Sequence, residues 1–238
     1  VIRKMTFKII LLFFNLFEVF EVQKTTLGQG CFEAMDRATA EELLHNANQL
    51  AQGDFGAGYA DDDAQGLSID DEGNVTLPDG LRKAFDVYYA GEWQRLTAPQ
   101  EIGGYGAPPS VYWSTFELFV GANPAASFYF LGEVNAHVIN RLGTPQQKTH
   151  FAERIIERRW GGTMMLTEPD AGSDVGAGLT KAKHIEGDQW HLQGTKRYIT
   201  VGDSDTAENI IHLVLARPEG AADGTPGLSM FIVPKFLI

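Results

Sequence analysis

The chain has 238 residues, which is enough for one large domain or two modest ones. Its formal net charge of -12 gives no basic surface, so binding to nucleic acid or to an anionic membrane is disfavoured. The single cysteine, Cys31, excludes an intrachain disulfide and a paired-cysteine metal or redox site, and it favours a reduced, cytoplasmic setting.

The N-terminal segment contains a short apolar run after two basic residues, which is the pattern of a signal-peptide core. Asn15, Glu18 and Glu21 follow this run at once, and no small-residue cleavage pattern appears. The run is also far shorter than the roughly 20 residues of a membrane-spanning helix. We therefore expect residues 5–20 to form an amphipathic or buried helix, with a signal sequence as the alternative, and we expect no membrane span.

The first two-thirds of the chain has mainly helical patterning. Thr39-Ala-Glu-Glu42 has the pattern of a capping box before an apolar helix face. Residues 53–80 are rich in Gly and Asp and predict an exposed loop, with room for a small extended piece. Further helices are expected from residue 81, over 110–121, over 124–141, and after a second capping box at Thr144.

From Gly161 onward the pattern changes to short apolar runs that are separated by Gly, Asp and Pro. These runs predict five strands, namely Thr163–Leu166, Leu179–Ile185, Trp190–Gln193, Ile210–Ala216 and Leu228–Val233. No helices alternate with these strands, so a doubly wound parallel sheet is disfavoured. We predict an α+β chain, with an N-terminal helical domain at 1–160 and a β domain at 161–238.

Two polar segments of the β block can carry chemistry. Leu166–Asp174 directly follows a predicted strand, and its Pro and Gly force a turn whose backbone amides can face a ligand. A cofactor loop and a simple β-turn both remain open for this segment. In Gly194–Gly202, Tyr198 and Thr200 are two residues apart and would share one face of a strand, where they suit a flat heteroaromatic ring. A half-buried strand face is the alternative.

Other kinds of site find little support. The six histidines do not cluster, and His184 and His191 have no nearby Cys or acid to complete a metal set, so no metal site is predicted. No nucleophile elbow, Walker loop or dinucleotide-binding glycine motif is present.

Together the two polar segments resemble the acyl-CoA dehydrogenase family. That family carries a Thr-Glu-Pro-x-Ala-Gly-Ser-Asp loop and, further along the chain, a Gly-x-Lys-x-aromatic-Ile-Thr segment. Other segments look like family positions, namely Gly103–Gly106, Asn123–Ala125, Gly143–Lys148, Asn209–Arg217 and Gly224–Lys235. The last two are most similar to the long branch that includes 3-methylmercaptopropionyl-CoA dehydrogenases.

The resemblance implies an FAD-dependent enzyme of fatty acid β-oxidation that desaturates an acyl-CoA thioester at the α,β bond and passes hydride to flavin N5. It also implies an electron-transfer flavoprotein as acceptor, a homo-oligomer, and an antiparallel, barrel-like β domain between two helical domains. The residues implied to bind FAD are Met164, Leu166, Thr167, Tyr198, Ile199 and Thr200. Ser173 is implied to contact the acyl-CoA substrate.

The chain also departs from the family pattern. Met165 stands where a small residue is usual, and Tyr198 where Trp is common. The family's catalytic base is a glutamate of a C-terminal helical domain, which we expect this chain to lack. We therefore expect an inactive fragment of N-terminal and middle domains, name no catalytic residue, and do not assign Glu168, Asp170 or Asp174 as the base. The alternatives are a non-catalytic truncated product and an acyl-CoA oxidase.

Overall fold

A computed structural model describes residues 9–237 of the chain. The four longest helices of this part are α1 (Arg37–Gln52), α2 (Asp79–Ala90), α3 (Pro109–Ala122) and α4 (Leu131–Leu142). Shorter α-helices are Val22–Thr25, Asp54–Ala57, Tyr59–Gln65, Pro124–Phe128, Pro145–Gln147 and Glu153–Arg158, and π-helical turns are Phe14–Val19 and Lys148–Ala152. The 3-10 turns are Gly30–Phe32, Trp93–Arg95, Gln100–Ile102, Val175–Ala177 and Thr225–Gly227.

The helix expected at the N-terminus is present from residue 9, and residues 5–8 lie outside the described part. It is amphipathic, because Leu12, Leu16 and Phe17 are buried while Phe14 is exposed. No helix among the described residues combines the length and the apolar character that a membrane crossing needs.

The helix starts show one error and one success. The expected capping box at Thr39 is wrong, because helix α1 begins earlier, at Arg37. Asp36 has extended backbone there and accepts a hydrogen bond from the Thr39 amide at 2.8 Å, so Asp36 is the N-cap. At Thr144 the reciprocal capping box is confirmed. The Gln147 amide donates to the Thr144 hydroxyl oxygen, and the Thr144 amide donates to the side-chain oxygen of Gln147.

Residues 53–80 are more ordered than the exposed loop we expected. They contain the two short helices Asp54–Ala57 and Tyr59–Gln65 and a two-stranded antiparallel sheet of β1 (Ser68–Ile69) and β2 (Val75–Thr76). Phe55 is fully buried against Phe119, so an aromatic anchor holds the first of these helices onto the core.

A five-stranded mixed sheet fills the second part of the chain. Its strands are β3 (Gly161–Met165), β4 (Lys181–Glu186), β5 (Gln189–Gln193), β6 (Ile210–Pro218) and β7 (Ser229–Pro234). All five expected strands are confirmed, with small shifts at their ends, and a tight turn at Gly187 joins β4 and β5.

The predicted α+β fold class is confirmed, with helices followed by a sheet, although the sheet contains parallel as well as antiparallel pairs. Strand β6 pairs in parallel with β3 and, near its C-terminal end, with β4, whereas β6–β7 and β4–β5 are antiparallel. The parallel pairs arise because the chain leaves β3, forms the β4–β5 hairpin and returns to enter β6 in the direction of β3. The strand order β3-β6-β4-β5, with β7 beside β6, forms no closed barrel among residues 9–237.

Helix α4 packs directly on the sheet. Gly132 of the helix faces Gly162 of β3 so closely that a Cβ built on Gly162 would lie 2.6 Å from the Cα of Gly132. Beside this contact, Asn135 is fully buried and donates to the carbonyl oxygens of Thr163 and Ile211, at 3.0 and 2.8 Å. One side chain thereby links α4 to two neighbouring parallel strands.

Two hydrophobic clusters form the core. The first lies among the helices and is rich in aromatic rings. The second combines the helical residues Ile139 and Ile155 and the neighbouring Trp160 with Ile211 and Leu213 of β6. Because the second cluster contains residues from both sides of residue 160, the helices and the sheet pack as neighbours.

Candidate functional site

A tight turn follows β3 and carries the first of the two polar segments. The backbone amides and carbonyls of Glu168 and Ala171 bond to each other, at 2.9 and 3.2 Å, which closes the turn around Pro169. Ser173 lies beyond this turn on an exposed stretch, and Thr167 lies before it and is half-buried. The turn that the sequence predicts is therefore confirmed.

The carboxylate of Glu168 is the centre of the turn. It is buried and accepts hydrogen bonds from the amides of Leu179 and Thr180 and from Lys196 Nζ, at distances between 2.6 and 3.2 Å. Burial alone would raise the pKa of Glu168, but these bonds, with that of Lys196 the largest, lower the pKa to about 2. The group is ionised at neutral pH, and its lone pairs are already used.

The second polar segment docks on the first. Lys196 Nζ lies 2.8 Å from Glu168 and also donates to the carbonyl oxygen of Leu166 at 3.0 Å. The amide of the next residue, Arg197, donates to the carbonyl oxygen of Thr167 at 2.9 Å. Residues about 30 positions apart in the chain thus lie side by side, which the resemblance implied and the local sequence pattern did not.

Tyr198 and Thr200 do not lie on a strand, so our expectation of a shared strand face is wrong. The segment after β5 has irregular backbone, with Tyr198 at φ +58° and Val201 at φ +50°. A positive φ is strained for a β-branched residue such as Val201. Alternation of side chains needs extended backbone, and two left-handed residues interrupt it here.

Salt bridges from two directions hold the residues that follow. Asp205 pairs with Arg82 at the start of α2 and also accepts from the amide of Leu77. Asp203 pairs with Lys235 after β7 at 2.5 Å. The strained turn at Val201 is therefore fixed on its C-terminal side to both the helices and the sheet.

The predicted site residues present an open, mixed surface. The exposed fractions of Met164 and Tyr198 are 41% and 79%, and Thr200 is also exposed. The Arg197 guanidinium lies 4.7 Å from the centre of the Tyr198 ring. The guanidinium covers one face of the Tyr198 ring, so a second aromatic group can stack on the opposite face. The hydroxyl of Thr200 lies two residues further along the chain.

This surface is distinct from two clefts in the described part of the chain. One cleft of about 690 Å³ lies between α4 and the sheet, where Phe151, Trp190 and Ile232 line it. The other, of about 410 Å³, lies near Cys31 and Tyr105. Neither cleft is lined by the predicted cofactor residues.

Comparisons with known proteins indicate the same family that the two polar segments resemble. The sequence profile described as "Acyl-CoA dehydrogenase, middle domain" matches residues 163–236, which contain both segments. The broad-specificity linear acyl-CoA dehydrogenase FadE5 of Mycobacterium tuberculosis is 45% identical over 226 residues, which are 94% of this chain and 37% of that protein. This chain belongs to the acyl-CoA dehydrogenase family.

Further similarities support the family and the fold. The 3-methylmercaptopropionyl-CoA dehydrogenase of Ruegeria pomeroyi is 39% identical over 178 residues, which cover 74% of this chain and 30% of that protein. A glutaryl-CoA dehydrogenase from Mycobacterium smegmatis, solved in complex with FADH2, has a TM-score of 0.63 at 20% identity, with 85% of this chain and 46% of that chain covered. This second likeness concerns the fold alone. The acyl-CoA dehydrogenase chain described here spans about a third of the length of the two relatives.

Sequence reasoning missed one feature of this candidate site. It gave Glu168 no catalytic role and included Lys196 only as part of the family pattern, whereas the structure makes them an ion pair. The available signal was one acidic and one basic residue inside two segments that were both expected at a single site.

Proposed function

We propose that this chain contributes to an FAD-dependent acyl-CoA dehydrogenase that desaturates an acyl-CoA thioester at the α,β bond. The observation that carries the proposal is the docking of the two polar segments, in which the Arg197 amide bonds to the Thr167 carbonyl oxygen and Lys196 bonds to Glu168. Membership of the acyl-CoA dehydrogenase family supports a flavin as the ligand of this surface.

The residues of this surface fit a flavin by their chemistry. Met164 and Leu166 offer apolar contact, and Thr167 offers a hydroxyl to the ring. Tyr198 offers a π-face that would shield one side of the ring, and Thr200 offers a hydroxyl toward N5. We propose these residues and Ile199 as the FAD-binding set, and the exposed Ser173 as a contact of the acyl-CoA.

When bound, FAD would supply a hydride acceptor for the hydrogen on the substrate's β-carbon, while the α-proton would go to a base that is not assigned here. The chain's own residues would bind and orient. Thr167 and Thr200 would offer hydroxyls to the ring, and Tyr198 would keep water from one face. Glu168 does not act as the base, because its pKa of about 2 makes it a poor proton acceptor and its oxygens are already hydrogen-bonded.

We also propose the wider setting that the family implies. The electron acceptor is an electron-transfer flavoprotein, the enzyme is a homo-oligomer, and it serves fatty acid β-oxidation in the cytoplasm. The helical domain ends near residue 160, which is supported by the start of β3 at Gly161 and of the matched profile at residue 163.

Flavin binding is the direct test. The protein encoded by the complete reading frame that contains this sequence is purified, mixed with FAD and passed over a desalting column. We expect a yellow protein whose flavin absorbance bleaches when saturated acyl-CoA thioesters are added without air. A colourless product, or a bound flavin that no acyl-CoA bleaches, would contradict the proposal.

A matched pair of variants localises the site. Tyr198→Ala removes the proposed stacking face, so we expect weaker retention of FAD. Trp190→Ala removes an aromatic residue that lines the cleft on the sheet, away from the proposed surface, so we expect retention like that of the unchanged protein. Equal losses in the two variants would contradict the placement of the flavin.

A further inference from the structure

We propose that the buried Glu168–Lys196 ion pair is a positioning device that sets the spacing between the two halves of the proposed flavin site. The inference rests on the proposed function for the identity of the ligand. The coupling of the two segments, by contrast, can be measured without any ligand.

The pair is buried at both ends. The exposed fractions of the side chains are 10% for Lys196 and 6% for Glu168, and Nζ and Oε1 lie 2.8 Å apart. Other charge pairs of the described residues are more exposed, such as Arg158–Glu208 with 56% for each side chain. Glu168–Lys196 is thus shielded from solvent in a way that these surface pairs are not.

The ion pair is hydrogen-bonded to the backbone of residues that are proposed to contact the flavin. Lys196 donates to the carbonyl oxygen of Leu166 as well as to Glu168, so it spans the backbone on either side of Thr167. The Arg197 amide then fixes Thr167 itself. Tyr198 follows Arg197 directly in the chain. The bonds of Lys196 and Arg197 therefore set the position of Tyr198 relative to Thr167.

The other oxygen bonds of Glu168 tie a third segment to the same point. The amides of Leu179 and Thr180, which precede β4, both donate to its carboxylate. Gly194, two residues before Lys196, lies so close to Thr180 that a Cβ on it would be 2.3 Å from the Thr180 hydroxyl oxygen. Three segments therefore meet at Glu168, and the close contact at Gly194 limits how they can shift.

A buried ion pair is a poor device for stability alone. Removing two charges from water costs much of what their attraction returns, and apolar replacements of such pairs are often neutral. Fixed geometry is what an ion pair with extra hydrogen bonds provides and an apolar contact does not. We therefore expect removal of both charges together to affect flavin binding more than global stability, whereas removal of Lys196 alone would leave a buried carboxylate without its cation.

The test compares three variants of the protein. Glu168→Gln combined with Lys196→Met removes both charges and keeps the lengths of the side chains, and Lys196→Arg keeps the charge. Lys83→Met removes a pair to Asp54 in which both side chains are 60% exposed, and it serves as the matched control. Each variant is measured for amide hydrogen exchange at Arg197, for exchange in the buried strand β6, and for FAD affinity by quenching of flavin fluorescence.

We expect the double variant Glu168→Gln/Lys196→Met to speed exchange at the Arg197 amide and weaken FAD binding, each by about tenfold, with exchange in β6 unchanged. We expect Lys196→Arg to restore part of both losses and Lys83→Met to change neither. The inference is overturned if exchange at Arg197 is unchanged, if it rises only together with exchange in β6, or if FAD affinity stays the same.

Failure of the proposed function gives a different result. If the unchanged protein retains no FAD, the proposed function fails whatever the variants do. Faster exchange confined to Arg197 in the double variant Glu168→Gln/Lys196→Met would then still support the coupling of the two segments by the ion pair, and unchanged exchange would overturn it.

Discussion

Tyr88 donates its hydroxyl hydrogen to Oε1 of Glu133 at 2.8 Å, and both side chains are buried between helices α2 and α4. The Tyr88 ring stacks on Phe130 with centroids 3.9 Å apart. Burial raises the pKa of Glu133 to about 8, and the bond from Tyr88 offsets only part of this effect. A protonated carboxyl group therefore lies in the aromatic core at neutral pH.

The stability of the protein should fall as pH rises from about 5 to 9. Because the pKa of Glu133 is higher in the folded chain than its ordinary value of 4.5, the folded state binds the extra proton. The stabilisation is complete below pH 4.5 and is lost as pH rises through about 8, with a total of up to about 4 kcal/mol. Urea unfolding at a series of pH values measures it.

Glu133→Gln is the control for this pH dependence. His137 and His212 have pKa values lowered by burial, so they act in the opposite direction below about pH 6.5 and are present in both proteins. The difference between the two curves isolates Glu133. Parallel curves from pH 5 to 9 would contradict a buried, protonated Glu133.

Tyr88→Phe should destabilise the protein by about 1–3 kcal/mol, because it leaves the buried Glu133 without its donor. Tyr89→Phe, one residue along the same helix, removes a hydroxyl for which the structure shows no such bond to Glu133, so a smaller loss is expected. Urea unfolding at pH 6 compares the two variants. Equal losses would show that the Tyr88 bond has no special weight.

Gly162→Ala should separate helix α4 from β3 and cost about 1–3 kcal/mol. The added Cβ would lie 2.6 Å from the Cα of Gly132 and 2.8 Å from Asn135 Nδ2, and the first of these is backbone that cannot rotate away. Gly172→Ala is the matched control, since nothing lies within 4 Å of a Cβ there. Thermal unfolding measures both, and similar melting temperatures for the two variants would contradict the tight contact.

Asn135→Ala should destabilise the protein by about 2–3 kcal/mol, because it leaves the buried carbonyl oxygens of Thr163 and Ile211 without their shared donor. Val134→Ala on the same helix changes a side chain that is 40% exposed, so its effect should be well below 1 kcal/mol. Guanidinium unfolding distinguishes the two. A loss at Asn135 no larger than that at Val134 would show that the amide link is dispensable.

The local features of the chain were predictable from its sequence. Apolar spacing gave helix α2 its buried face of Leu81, Ala84, Phe85 and Tyr88, and all five strands after Gly161 were found. The capping box at Thr144 also followed from residue type. These features depend on interactions within a few residues, which a sequence displays directly. The error at Thr39 was local too, because Asp36 offered a competing cap three residues earlier.

The sequence by itself determined the helices from residue 81 and the five strands after Gly161, and its two polar segments marked the family. Only the tertiary structure decided that Glu168 pairs with Lys196, that Tyr198 stands at a positive φ instead of on a strand, and that β6 runs parallel to β3. The physical reason is that each of these depends on residues far apart in the chain. A glutamate looks the same in the sequence whether its carboxylate faces water or a buried ammonium group. Only packing brings the ammonium group of Lys196 to Glu168.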